Sequence, residues 1–361
     1  MDKICFFSGD ITRSGGAERV SIMIANALAK QKNYQILFLS LVEQENEPFF
    51  ALEDGIECYV LGDKWINPGP GYLKVIHRLR HFLKQYEIDV IIDIDIVLDV
   101  LSIPAARGLR TKIISWEHFN CEYEMKYLYR RYILKYSVKR TDHIITLTEG
   151  DKKIYMEKMG RDTAISAIYN PMQELLCEEE TEKERWLITV GRLIQRKGMD
   201  YLAEIAYEVL HRNPDWKWLV VGDGEEQAFL EAFIKKNRLE GRLILTGRTE
   251  DVNAYLKKAQ IYVMTSRIEG LPMCLLEAKT FQLPSVSFDI PTGPNEIIEE
   301  GVNGYLIEAF DCKDMAQKLE LLMRNDDLRK QFSEHAQNNI EKFQMESILK
   351  NWNIVLENLL S

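Results

Sequence analysis

Two alternating periods dominate the chain. Short apolar runs recur, and between them lie longer stretches whose apolar residues return at helical spacing. In the first half the runs are Ile4–Ser8, Gln35–Ser40, Glu57–Leu61, Val90–Ile94, Lys112–Trp116, His143–Leu147 and Ser166–Tyr169. In the second half they are Trp186–Val190, Lys217–Val221, Arg242–Thr246, Ile261–Met264, Ser285–Phe288 and Tyr305–Ile307. Helical spacing fills intervals such as Ala17–Lys30, Met199–Arg212, Glu225–Asn237, Leu271–Gln282 and Met315–Arg324. A strand, a crossover helix and another strand imply parallel pairing, with helices on both sheet faces. The series restarts near Asn170–Pro171, which predicts an α/β chain of two Rossmann-like domains, residues 1–170 and 171–343. The acidic stretch Glu178–Glu184 has no apolar period and reads as a solvated linker. A last helix within 344–361 has one apolar face (Ile348, Trp352, Val355, Leu359). It either caps the second domain or crosses back onto the first.

Composition narrows the possible functions. At 361 residues, 46% apolar and 28% charged, the chain has material for two cores and is not a disordered polymer. A net charge of −10 argues against a nucleic-acid partner, which needs clustered positive charge. The charge is uneven: residues 1–170 carry 23 Lys+Arg and 23 Asp+Glu, so the whole acidic excess falls later. Six cysteines lie scattered with no CxxC pair, which disfavours structural zinc and a disulfide scaffold. The apolar stretch Asp89–Leu101 is broken by Asp93, Asp95 and Asp99, so it is no membrane helix. With no export segment visible, a cytoplasmic protein is expected. Two basic, aromatic stretches, 72–84 and 126–140, suit the inner face of an anionic membrane, so peripheral association is expected there.

Open parallel sheets bind ligands beyond the carboxyl ends of their strands, so the loops after strands carry the functional information. After the first strand come Gly15 and Gly16 at a helix start, where backbone amides can approach an anion. The run is not GxGxxG and has no Walker lysine, so a dinucleotide gains no specific support. The strand Trp186–Val190 ends in Gly191-Arg192-Leu193-Ile194-Gln195-Arg196-Lys197-Gly198, which delivers two cations suited to a diphosphate. A third loop holds Gly222-Asp223-Gly224, which a tight turn alone would explain. The richest segment is Ser266-Arg267-Ile268-Glu269-Gly270-Leu271-Pro272-Met273-Cys274-Leu275-Leu276-Glu277. There Pro272 suits the first helical turn, Gly270 permits close approach, and the carboxylates can accept from sugar or ribose hydroxyls. His118 follows a strand end and is a site candidate. Asp93-Ile94-Asp95 looks like a metal-binding DxD, but no third ligand is nearby, and no metal is expected.

Glu269 and Glu277 form an E-x7-E pattern. With Gly15-Gly16-Ala17-Glu18-Arg19-Val20, Glu117-His118, Asn170-Pro171, Gly191-Arg192-Leu193, Lys197-Gly198 and Gly222-Asp223-Gly224, the chain resembles the family four retaining glycosyltransferases of GT-B fold. The likeness spans nearly the whole chain and is greatest for the subset that builds bacterial surface glycans on polyprenyl-diphosphate lipids. It implies two domains facing across a cleft, with the last helix crossing back to the first. It also implies that Arg192 and Lys197 hold a donor diphosphate, that Glu277 takes the ribose, and that Glu269 with Gly270, Leu271, Pro272 and Met273 holds the transferred sugar. Gly15, Gly16, Gly191 and Gly222 would approach the nucleotide sugar, and His118 would stand near the sugar on the acceptor side. A UDP-sugar is the favoured donor, a glycan or lipid-linked sugar the acceptor, and no cofactor is required. A sugar-nucleotide epimerase and a silent nucleotide-sugar-binding partner are the competing readings.

Overall fold

The computed structural model describes residues 1–62, 70–160, 164–172, 182–249 and 251–361. Most of the expected linker, 178–181, lies outside them. Contacts divide the chain into Met1–Pro171 with Lys342–Ser361, and Met172–Glu341.

Among the described residues there are thirteen strands. The N-terminal unit holds β1 (Asp2–Ser8), β2 (Tyr34–Ser40), β3 (Glu57–Val60), β4 (Val90–Ile94), β5 (Lys112–Trp116), β6 (His143–Thr146) and β7 (Ile165–Ala167). The other unit holds β8 (Trp186–Val190), β9 (Lys217–Val221), β10 (Leu243–Gly247), β11 (Ile261–Met264), β12 (Ser285–Asp289) and β13 (Gly304–Glu308). Each named strand pair is parallel, in the orders β3-β2-β1-β4-β5-β6-β7 and β10-β9-β8-β11-β12-β13. In both sheets the order runs outward from the first strand and then restarts on its other side. Right-handed crossovers therefore put helices on opposite faces, and a switch point opens beside β1/β4 and beside β8/β11.

These strands read so plainly because they are buried on both faces. Val90, Ile91 and Ile92 of β4 and Leu187 and Ile188 of β8 have no exposed surface. Inside the second core Thr189 Oγ1 donates to the Val263 carbonyl at 2.8 Å and accepts from Trp218 Nε1 at 3.0 Å. Helix Met345–Leu360 belongs to the N-terminal unit. It buries Ile348, Trp352, Val355 and Leu356, while Leu359 is only half-buried. Trp352 meets the Trp116 ring edge-on at 4.8 Å and lies 6.4 Å from Phe6, so the last helix closes over the centre of the first sheet.

Several helix ends differ from the sequence pattern; the helix expected over Met315–Arg324, for one, begins at Cys312. The helix expected over Leu271–Gln282 spans Met273–Thr280, with Pro272 at its N-cap (ψ 97°) rather than in the first turn. The helix expected from Glu225 begins at Gln227, because the Glu226 amide is taken by the Leu193 carbonyl at 2.8 Å.

Candidate active site

In the second unit the β8 and β11 loops meet at the switch point. Lys197 ends a single 3-10 turn, Gln195–Lys197, after β8. Its Nζ lies 2.6 Å from Glu269 Oε1, and that oxygen also accepts from Ser266 Oγ at 2.6 Å. The lysine side chain is 18% exposed and the glutamate 11%. Burial opposes the ammonium charge, but the Glu269 carboxylate outweighs it and holds the Lys197 pKa above the ordinary lysine value. Thr292 Oγ1 fixes the Glu269 carbonyl at 2.6 Å. Met273 and Cys274 open helix Met273–Thr280, whose first amides have no intrahelical acceptor. A half-buried cation, a carboxylate and a positive helix end are thus brought together. The space enclosed by Gly191, Lys197, Thr265, Ser266 and Cys274 is only about 10 Å³, room for roughly one water. A sugar or nucleotide would have to lie on the loops, not inside this unit.

Arg192 lies on the same loop, is exposed, and has no ion-pair partner among the described residues. Glu277 sits half-buried on the helix. Its charge is felt by the buried Tyr262 and the half-buried Cys274, whose pKa values rise through burial first and through neighbouring carboxylates. Gly191 and Gly222 hold the loops together: a Cβ on Gly222 would stand 2.0 Å from the Gly191 carbonyl oxygen, at a φ of +137°. Gly222 is therefore demanded by loop stacking, whatever a ligand requires. Asp223 serves the same stacking, since its carbonyl accepts from the Leu193 amide at 2.7 Å.

Sequence reasoning assigns no role to Arg267, yet it joins the two loops. Its guanidinium grips both oxygens of Asp200 at 2.8 and 2.6 Å, donates to the Gln195 carbonyl at 2.8 Å and lies 4.2 Å above the Tyr201 ring. Its amide donates to the Arg196 carbonyl at 2.9 Å. The partners sit about 70 residues away in sequence, and the one available signal was its place beside Glu269.

In the N-terminal unit the β1 loop leads to helix Gly16–Gln31, with Gly15 as N-cap. The two glycines differ. A Cβ on Gly15 would stand 2.0 Å from Glu18 Oε2, whereas one on Gly16 would meet nothing within 4 Å. Glu18 thus folds back over the helix start, and burial raises its pKa. His118 follows β5, its ring 4.5 Å from Trp116. Its Nε2 is buried with no hydrogen-bond partner among the described residues, and burial lowers the pKa to about 3. Glu117 accepts from the Phe119 amide at 2.9 Å and from the Tyr155 hydroxyl at 3.2 Å. Asp93 and Asp95 do not act as a pair. Asp93 is buried and bonded by Ser102, while Asp95 lies past the strand end at φ +87°, accepts from the Val97 amide and lies 3.7 Å from Arg130. No group of three His, Cys, Asp or Glu among the described residues is arranged to hold a metal.

Comparison with known proteins agrees with this architecture. Residues 14–173 match the family described as Glycosyltransferase Family 4, and residues 177–339 match Glycosyl transferases group 1. An uncharacterized glycosyltransferase of Haemophilus influenzae is 34% identical over 358 residues, covering 99% of this chain and all of that one. A Campylobacter jejuni enzyme is 28% identical, with 98% and 97% of the two chains covered; its name is GalNAc-alpha-(1->4)-GalNAc-alpha-(1->3)-diNAcBac-PP-undecaprenol alpha-1,4-N-acetyl-D-galactosaminyltransferase. A variant of S. aureus TarM, solved with Fondaparinux, alpha-GlcNAc-glycerol and UDP, shares the fold at a TM-score of 0.81 and 18% identity, covering 100% of both chains. The chain belongs to the glycosyltransferases and has the two-domain α/β architecture called GT-B.

Proposed function

We propose that the chain is a retaining hexosyltransferase. It takes a hexose or N-acetylhexosamine from a UDP-sugar and places it on a glycan or polyprenyl-linked acceptor in surface polysaccharide or glycoconjugate synthesis. The observation that carries this reading is Lys197, held at 2.6 Å from Glu269 beside the start of helix Met273–Thr280. The Campylobacter relative's name and the UDP in the TarM crystal support the choice of donor and acceptor.

In this reading Arg192 and Lys197 neutralise the departing diphosphate, the largest electrostatic need once the donor carries a good leaving group. Glu277 accepts from the ribose hydroxyls. Glu269 and the backbone over Gly270, Leu271, Pro272 and Met273 hold the transferred sugar. Gly15, Gly16, Gly191 and Gly222 line the approach to the donor, and His118 faces the sugar as a neutral ring. The anomeric carbon loses its bond to the diphosphate oxygen and gains one to the acceptor oxygen on the same face. The acceptor proton passes to a phosphate oxygen, so no protein nucleophile and no metal is invoked.

Membrane attachment is part of the proposal. No helix among the described residues is long and apolar enough to cross a bilayer. Helices Pro70–Gln85 and Leu128–Val138 do expose large side chains, including Leu73 at 72%, Leu128 at 71% and Tyr132 at 71%. Flotation with anionic liposomes at low salt tests this; protein left at the bottom of the gradient excludes it.

A thermal-shift screen of UDP-, GDP- and ADP-sugars tests the donor, because a ligand that binds only the native state raises its stability. UDP-sugars should stabilise the wild type and fail with Lys197→Ala and Glu277→Ala. Proton NMR of the product reads retention from the anomeric coupling. A crystal soak with the diphosphate lodged far from residues 192 and 197 would overturn the proposal.

A further inference from the structure

We infer that the N-terminal unit carries a second anion site, a groove for a phosphoryl group at the opposite edge of its sheet from the β1 and β5 loops. The groove has a volume of about 540 Å³ and is lined by Arg107, Arg110, Lys112 and Arg140, with Tyr136, Pro104 and Leu109 among its less polar walls. Lys112 opens β5, so the groove lies where that strand begins, whereas His118 lies beyond where it ends.

Among the described residues, three of the four cations have no acidic partner. Lys112 is 3.4 Å from Asp142, the one acid lining the groove, and Asp142 also accepts from the Ile113 amide at 2.9 Å. The guanidinium groups of Arg107, Arg110 and Arg140 make no ion pair or hydrogen bond among the described residues. Arg140 is held only by its place 4.5 Å over the Tyr136 ring. Their ordinary use would be to serve the carbonyl end of helix Asp99–Ala106. That end is already served, because Arg80 Nη1 donates to the Ala105 carbonyl at 2.8 Å and to the Arg107 carbonyl at 2.7 Å.

Like charges gathered around one concavity repel each other and focus a positive potential into it. An entering anion relieves both. Guanidinium groups fork onto the oxygens of a phosphate, which gives the ligand class as a phosphoryl or diphosphoryl group. The apolar walls leave room for a non-polar attachment to that group, so its source is either a soluble phosphate compound or a lipid headgroup.

The test uses the full chain and the double variant Arg107→Gln/Arg110→Gln. Both arginines are exposed and lie outside the donor loops and outside the stretches 72–84 and 126–140, so melting temperature and basal turnover should stay unchanged. In one arm inorganic pyrophosphate is titrated calorimetrically at 50 mM salt. The donor loop is intact in both proteins, so the difference between them reports the groove. In the other arm the proteins are sedimented with vesicles of phosphatidylcholine containing one-fifth phosphatidic acid. A loss of at least tenfold in pyrophosphate affinity supports the site with a soluble ligand. A loss of vesicle binding alone supports it with a lipid source. If the variant behaves like the wild type in both arms, the site does not exist.

Discussion

Lys197→Met tests the reading of the donor loop most directly, because its cost can be worked from the geometry. At 2.6 Å, and with an effective dielectric of about 20, the attraction between Lys197 and Glu269 is roughly 6 kcal/mol. Each ion has given up most of its hydration, at 18% and 11% exposure, and that costs several kcal/mol of the gain. A net coupling of about 2 kcal/mol is the expected remainder. Removing only the lysine is worse than losing that coupling, since Glu269 then stays buried with the Ser266 hydroxyl as its remaining named partner; about 3 kcal/mol is the expected cost. For a unit of the size of Met172–Glu341, at roughly 3 °C per kcal/mol, the melting temperature should fall by about 10 °C. Glu269→Gln should cost less, because the amide oxygen still accepts from both neighbours. The double variant should be more stable than the sum of the singles requires. Calorimetry of the four proteins closes the cycle, and the donor is then added. At a hundredfold excess over its dissociation constant it should stabilise the wild type by about 2.7 kcal/mol and leave Lys197→Met unmoved. If Lys197→Met melts with the wild type and is still protected by the donor, the loop is a solvated turn and the argument for a diphosphate site fails.

Gly222→Ala should disorder the stacked β8 and β9 loops, since its Cβ would stand 2.0 Å from a backbone oxygen that cannot step aside; donor affinity should drop at least tenfold in the thermal-shift assay. Arg267→Lys loses the fork on Asp200, so KM for the donor should rise several-fold while kcat changes less, and Asp200→Asn should mimic it in steady-state kinetics. His118 should stay neutral throughout the working range. Burial holds its folded pKa at about 3, whereas the unfolded ring takes up a proton near 6.5, so between these values the unfolded state binds more protons and stability falls on acidification, by up to about 1.4 kcal/mol per pH unit. Asp93, raised by burial to about 6, acts in the opposite sense below that pH. The His118 share is therefore read as the difference in denaturant midpoint between wild type and His118→Asn, and an imidazole NMR titration above pH 5 would refute it.

What the sequence reveals follows from how local each feature is. Strands buried on both faces leave unbroken apolar runs, and so β4 and β8 stand at the residues their composition predicts. The alternation of strands and helices marks the loops after those strands as ligand-facing, but it is the sheet order, with β8 beside β11, that brings Gly191–Gly198 and Ser266–Met273 to one switch point. Helix ends are less legible. Pro272 fits the first turn on its φ, but a ψ of 97° leaves it outside as the cap.

Features that depend on two distant segments leave almost no trace. Arg267 becomes a clamp only because the sheet order sets β11 against β8, and nothing in its neighbours announces Asp200 or the Gln195 carbonyl as partners. The Gly15-Gly16 pair makes the same point within a single turn. Read as letters, both glycines suit an anion at a helix start. In the fold, a Cβ on Gly15 would press on the flexible end of the returning Glu18 side chain, whereas one on Gly16 would face space that no protein atom claims. The distinction has a physical consequence for the donor. Glu18 already places a negative charge at the positive end of helix Gly16–Gln31, so an incoming phosphate there must either displace that carboxylate or be offset by cations elsewhere. A glycine-rich helix start by itself is therefore poor evidence for where a phosphate sits, and the proposed function assigns the neutralising charge to Arg192 and Lys197 instead.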